Sequence, residues 1–229
     1  MAPIMMLPLQ GIMISHVIWD WNGTLLDDAQ ACVEAINVLL RRRRLREVTR
    51  AEYVEVFEFP VRNYYLQLGF DFAKDDWDRV AAEYHAVYAV TSAGAPLRTG
   101  ALPAVQRMQR AGLALSVLSA CELSLLKRMM AERGILDPFQ HVYGLSDLFA
   151  RSKLELGRAM LSATGLPPDA TLLVGDTTHD FEVAQELGCR CLLMTGGHQS
   201  ASRLSRCGCP MVDDLEGVLA LLSAANGES

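Results

Sequence analysis

The sequence predicts an α/β fold, a parallel sheet with helices on both faces, broken by one all-helical insertion. Three observations carry this. Short apolar runs bounded by turn residues recur along the chain at 17–19, 113–118, 142–143, 171–174 and 191–194. After residue 94 they alternate with helical patterns, the arrangement of right-handed crossover units. Between residues 29 and 92 only helical spacing is found.

The elements follow in order. Val17, Ile18 and Trp19 make a buried strand that ends at Asp20 and breaks at once into Asn22-Gly23. The loop sets a carboxylate, the Thr24 hydroxyl and a flexible glycine at the strand's carboxyl end, where ligands bind in open α/β sheets. Residues 29–44 carry Ala31, Ala35, Val38 and Leu39 at helical intervals. Thr49 and Glu52 read as a capping box for a helix reaching Phe57. Pro60 opens a short helix over 61–68 closed by Gly69, and 74–90 reads as a long helix beginning at Lys74. The division expected is therefore a core at 13–28 and 93–229 and a helical cap at 29–92.

Residues 94–100 form a turn-rich return, and 101–111 a helix closed by Gly112. The strand at 113–118 runs into Ser119-Ala120-Cys121-Glu122, and the helix at 123–133 ends at Gly134. A brief strand at 142–143 precedes a helix over 153–164 closed by Gly165. The strand at 171–174 runs into Gly175-Asp176-Thr177-Thr178-His179-Asp180. A helix at 182–187, a strand at 191–194 and a helix near 215–222 complete the pattern.

Composition narrows the function classes. A chain of 229 residues accommodates one large domain, or a core with a smaller insertion. With 51% hydrophobic and 21% charged residues it is not a disordered chain. A net charge of −6 argues against nonspecific nucleic-acid binding, and the run Arg41 to Arg44 reads as a solvated helix end. No apolar stretch reaches the length of a membrane span. Residues 1–12 are apolar but hold two prolines and no basic residue, a poor signal peptide, and read as an extension outside the fold. The six cysteines suit reduced thiols in the cytoplasm, and the spacing of Cys189, Cys191, Cys207 and Cys209 does not match zinc fingers.

Asp20, Ser119 and Asp176 all fall at strand ends, and Lys153 at a helix start can reach the same edge. A carboxylate can attack a phosphoryl group to form an aspartyl-phosphate that water then opens. Attack of one anion on another needs cations. Asp176 and Asp180 offer acidic groups for magnesium, and Lys153 adds a fixed positive charge. The Ser119 hydroxyl and neighbouring backbone N–H groups, Ala120 among them, donate hydrogen bonds to the phosphoryl oxygens.

On these residues the chain resembles the haloacid dehalogenase superfamily, in its phosphoglycolate-phosphatase-like branch with a helical cap. The resemblance covers residues 13–222. The first motif, Asp-x-Asp-Gly-Thr, reads Asp20-Trp21-Asn22-Gly23-Thr24. The second falls on Ser119 and the third on Lys153. The fourth, Gly-Asp-x-x-x-Asp, reads Gly175 to Asp180. The resemblance implies a Rossmann-like core and a magnesium-dependent phosphatase acting on a small phosphorylated metabolite. Asp20 is then the nucleophile and a metal ligand, with Asp176 a direct ligand and Asp180 a second acidic group acting through water. Thr24 and Ala120 fall among the substrate-binding positions. A monomer or homodimer is expected, with no nucleic-acid or membrane partner.

The sequence departs from the family at Asn22. In the family's phosphatases that acid protonates the leaving alkoxide and activates water, while its backbone carbonyl binds metal. Asn22 keeps the carbonyl and cannot exchange a proton. General acid–base help contributes roughly a hundred- to ten-thousand-fold in rate. Three responses fit: a better leaving group such as an acyl or aryl phosphate, a substitute such as His179 or His198, or a binding and sensing role. Relatives that cleave carbon–halogen or carbon–phosphorus bonds also replace this acid. The phosphonate enzyme uses a cap lysine, for which Lys74 is the candidate here, and dehalogenases need no metal. In the cap, Arg62 within the Phe57 to Tyr65 segment is the candidate for gripping a substrate carboxylate.

Overall fold

The computed structural model describes residues 13–145 and 152–227. The expectation for residues 1–12 therefore lies outside the described residues. β1 (His16–Trp19), β2 (Ala114–Glu122), β3 (His141–Leu145), β4 (Thr171–Gly175), β5 (Arg190–Met194) and β6 (Met211–Val212) form one sheet. Their order is β3-β2-β1-β4-β5-β6, and every pair is parallel. The chain reverses its direction of winding between β1 and β4. In a doubly wound sheet that switch point opens the crevice where ligands bind.

Residue alternation along the strands builds two cores. On one face Val17 and Trp19 of β1, Leu172 and Val174 of β4, and Leu192 and Met194 of β5 pack together. Covering them are α5 (Ala101–Arg110), α6 (Leu123–Glu132) and α10 (Leu215–Asn226). Ile18, Leu173, Cys191 and Leu193 point to the other face, under α7 (Lys153–Thr164), α8 (Thr178–Leu187) and the short α9 (Ala201–Leu204). The period of two is what a strand buried on both faces requires.

Between β1 and β2 lie α1 (Ala29–Arg42), α2 (Arg50–Val56), α3 (Val61–Gln67) and α4 (Trp77–Thr91). They bury a core of their own, with Ile36, Leu39 and Leu40 of α1 against Tyr53, Tyr64, Tyr65, Val80 and Tyr88. Each such large apolar side chain contributes about 1.5–3 kcal/mol by leaving water. The block also binds the loop after β5. Ser200 N–H donates to the Val54 carbonyl (3.1 Å), Gln199 Nε2 to that of Phe57 (2.9 Å), and Arg50 to the carbonyls of Gly196 and Gly197 (3.0 Å each).

Element ends differ from the sequence reading in instructive ways. α4 begins at Trp77 because Asp76 caps it, accepting from Arg79 N–H. Lys74 instead lies in the preceding turn, paired with Asp71 at 2.8 Å on the surface. α8 begins at Thr178, four residues early, because Thr177 and Asp180 form a reciprocal capping box. β2 runs on to Glu122, which pairs with Leu145 after a register shift. β6 is two residues long and too short to show a period. All six cysteines are free thiols.

Candidate active site

Parallel register sets the site's level. Trp19 of β1 lies opposite Val117 of β2 and Val174 of β4. Asp20 and Asp176, each just past the end of its strand, and the Ser119–Ala120 segment within β2 thus lie near one height at the carboxyl edge. Asp20 N–H donates to the Val174 carbonyl at 2.9 Å, fixing the first residue of the β1 loop. Gly23 turns that loop with φ +74°, and a Cβ there would overlap the Asp176 carboxylate. Arg98 clamps the loop from outside, donating to the carbonyls of Gly23 (3.0 Å) and Thr195 (2.8 Å).

Lys153, at the first turn of α7, is buried and donates to Asp20 Oδ1 and Asp180 Oδ1. The other oxygen of Asp180 accepts from the backbone N–H groups of Asp176 (3.2 Å) and Thr177 (2.9 Å) and from the Thr177 hydroxyl (2.6 Å). Asp180 therefore braces both the turn and the lysine. Thr24 Oγ1 lies between Asp20 Oδ2 (3.3 Å) and Asp176 Oδ1 (2.9 Å). Fully buried there, it holds the two carboxylates and does not line the cavity above them. Asp176 Oδ2 accepts from the His198 backbone N–H at 2.6 Å.

Asn22 is locked in place. Its Nδ2 donates to Asp28 Oδ2 (2.8 Å) and to the Tyr88 hydroxyl (2.7 Å), and its Oδ1 faces the Ser119 hydroxyl at 3.4 Å. Ser119 reaches the site through Asn22, and its oxygen also accepts from Cys121 N–H at 3.0 Å. Asp28 is the hub of a buried polar network. It accepts from Gly23 N–H (2.8 Å) and the Tyr88 hydroxyl (2.6 Å), and lies 3.3 Å from His198 Nε2. His198 Nδ1 meets the Tyr53 hydroxyl at 2.7 Å.

Charge follows from burial and these partners. Burial pushes the Asp20 carboxyl up; the Lys153 cation opposes this, while Asp180 and Asp176 add to it. Asp176 is likewise raised, by burial first, against the pull of His198. Burial works against the charged form of Asp180, but Lys153 outweighs it and holds the carboxyl low. For Lys153 and His198 burial favours the neutral form and is overcome by carboxylates. Asp180 and Asp20 hold the lysine high, and Asp28 holds the imidazole at about 9. The centre is thus short of positive charge at Asp20 and Asp176. A divalent cation fits that deficit: Asp20, Asp176 and Asp180 are buried hard-oxygen donors whose ligand atoms lie within 4.8 Å of one another.

Above the acids opens a cavity of about 300 Å³ that runs into the helical block. Its floor includes Asp20, Asn22, Ala120, Lys153 and Asp176; its walls are mostly aromatic. His179 and His198 both line it, His179 stacked on Phe59 with centroids 4.6 Å apart. Arg62 does not reach it. The guanidinium sits over the Phe72 ring, 5.3 Å from its centroid, on the exposed side of α3. Val61, Tyr64 and Tyr65, spaced i, i+3 and i+4, share the side of α3 that lines the cavity, which leaves Arg62 facing outward. Among the described residues, Lys153 is the one lysine of the lining.

A family model for haloacid dehalogenase-like hydrolases matches residues 17–194. The chain belongs to that family. The hydrolase is 26% identical over 196 residues to IndB of Dickeya dadantii, named a probable phosphatase, covering 82% of this chain and 84% of the relative. It is 26% identical over 193 residues to the phosphoglycolate phosphatase of Rhodospirillum rubrum, covering 80% of each chain. Both relatives support its place in the phosphoglycolate-phosphatase-like branch. A haloacid dehalogenase-like protein of unknown function from Agrobacterium tumefaciens shares the fold, with a TM-score of 0.77 at 20% identity over 93% of this chain and 99% of that one.

Sequence reasoning missed Asp28, Tyr53, Tyr88 and Arg98 in this hydrolase. Asp28 reads as an ordinary helix start, yet its side chain makes no capping bond and turns into the site. The signal available was an acid eight residues after Asp20, close to a position that had lost one.

Proposed function

We propose that this hydrolase removes the phosphoryl group from a small phosphate monoester, with Asp20 as nucleophile, magnesium as the metal and residues 29–92 as the cap that sets specificity. The observation that carries the reading is the joint placement of Asp20, Lys153 and Asp176 on the floor of one cavity at the sheet's switch point. An Asp20 oxygen forms a bond to phosphorus as the ester P–O bond breaks, its electron pair leaving on the alcohol oxygen. Water then attacks phosphorus, releasing inorganic phosphate and the free carboxylate. Lys153 orients Asp20 and would balance charge on the phosphoryl oxygens, with the backbone N–H of Ala120, which lines the same cavity, as a donor to them. Magnesium held by Asp20, Asp176 and the Asn22 carbonyl would supply the remaining positive charge. Asn22 cannot protonate the leaving oxygen and serves to position the loop.

A panel of phosphate monoesters assayed with and without EDTA tests this. Turnover should disappear on chelation and return with magnesium; turnover indifferent to EDTA contradicts the reading. The locked Asn22 favours one alternative, a binding or sensing protein of weakened activity. That alternative predicts no turnover of any ester with magnesium present, alongside a thermal shift on ester binding.

A further inference from the structure

We propose that the ester hydrolysed is an aryl phosphate, whose aromatic leaving group occupies the cavity inside the helical block. The inference rests on the phosphatase reading above and adds the substrate class. Two unrelated features of the site point to it.

The first is the wall. Beyond the acidic floor the cavity is lined by Tyr53, Phe57, Phe59, Tyr65, Trp77 and Tyr84. These rings already contact one another: Phe57 and Phe59 edge-on at 5.4 Å, Tyr53 and Phe57 stacked at 5.1 Å. Aromatic walls favour a flat apolar guest through stacking and edge contacts. The space, about 300 Å³, is twice the roughly 150 Å³ that suffices to hold benzene in an apolar cavity. A carboxylated leaving group would find no free lysine or arginine among the described lining residues: no arginine lines the cavity, Lys153 is engaged at its floor, and the His198 imidazole is already held by Asp28 (3.3 Å) and the Tyr53 hydroxyl (2.7 Å).

The second is the chemistry of departure. Asn22 stands where an acid would protonate the leaving oxygen, and both its amide hydrogens are directed at Asp28 and Tyr88. A phenol, with a pKa of about 10, leaves as phenolate without a proton. A simple alkoxide, whose conjugate acid is near that of water at roughly 16, does not. The bond made is Asp20 oxygen to phosphorus. The bond broken is phosphorus to aryl oxygen, whose pair stays on the phenolate; water from solvent later restores the carboxylate and yields phosphate. The wall and the missing acid thus select the same kind of molecule.

The test compares 2-naphthyl phosphate with 2-naphthylmethyl phosphate, near in size but differing in leaving-group acidity, and with phosphoglycolate, using the full chain with magnesium. We expect kcat/KM for 2-naphthyl phosphate to exceed each of the others by about 100-fold or more. Ala81→Phe, which adds a ring to the cavity wall, should raise KM for the naphthyl ester about tenfold relative to KM for phosphoglycolate. Free 2-naphthol should inhibit the wild-type chain competitively, a measurement independent of how the variant folds. Equal or better turnover of either comparison ester, abolished by Asp20→Asn, would overturn the substrate class while leaving the phosphatase reading standing. An absence of Asp20-dependent hydrolysis across all three would overturn both. A naphthyl KM unmoved by Ala81→Phe, or no inhibition by 2-naphthol, would remove the leaving group from this cavity.

Discussion

Asn22 and Asp28 share a hydrogen bond of 2.8 Å, so the simplest repair of the first motif is blocked by its neighbour. Asn22→Asp would set two carboxylates in contact within a buried site, where like charges cannot both ionise. Alone it should lower Tm and leave alkyl-phosphate turnover no higher than wild type. Asn22→Asp with Asp28→Asn exchanges amide and acid, keeps the bond, and should raise kcat on an alkyl phosphate by about 100-fold. A full gain from the single change contradicts this account of the network. His16 offers a separate check on β1. Its ring lies between Ser116 Oγ (2.8 Å) and Thr171 Oγ1 (3.2 Å), and burial, helped by nearby His141, lowers its pKa to about 4. A histidine held below its unfolded value of about 6.5 favours the fold when neutral. Its contribution is complete above pH 6.5 and is lost as pH falls towards 4, because the unfolded chain then binds the extra proton. Urea unfolding at pH 7 and pH 4.5 should show a stability difference that shrinks by about 2–3 kcal/mol in His16→Asn; an unchanged difference would sink the assignment.

Loops, more than helices and strands, decide how closely the acids approach. Gly23 and Gly112 share the left-handed region, at φ +74° and +81°, but a Cβ at Gly23 runs into Asp176 and His198 while one at Gly112 meets nothing within 4 Å. Alanine at either position carries a backbone cost of about 1–2 kcal/mol. Gly112→Ala should therefore lower stability alone, whereas Gly23→Ala should also cut kcat/KM more than tenfold; equal activity in the two variants would contradict the packing described. The same contrast marks what was legible. Thr49 and Glu52 form the capping box their spacing announces, and the sheet runs follow the apolar pattern. The start of α4 escaped because Asp76 outcompeted Lys74 as the boundary, and β6 because two residues carry no period. Arg62 was misread because a sequence does not say which side of a seven-residue helix faces the cavity.

Taken whole, the molecule is a switch-point sheet under a helical block, with the cavity between them. Asp20, Asn22, Lys153, Asp176 and Asp180 were legible because each adjoins a strand end or helix start in a family motif. Tyr53 and Tyr88 were not, since they enter from helices whose inward faces only the packed structure defines, and Asp28 was not, since its place just before α1 suggests a cap that its side chain does not make. If the acidic centre takes magnesium, the metal stabilises the whole fold. At 100 times its Kd it adds about 2.7 kcal/mol, a rise in Tm of roughly 5–10 °C for a chain of this size. Asp176→Asn should abolish the rise, and a wild-type Tm indifferent to magnesium would count against the metal site. The most direct test of the central claim is phosphate-ester hydrolysis by folded Asp20→Asn, a substitution that preserves shape and removes the nucleophile. The account predicts a loss of more than about a thousandfold in kcat; hydrolysis within tenfold of wild type would contradict it.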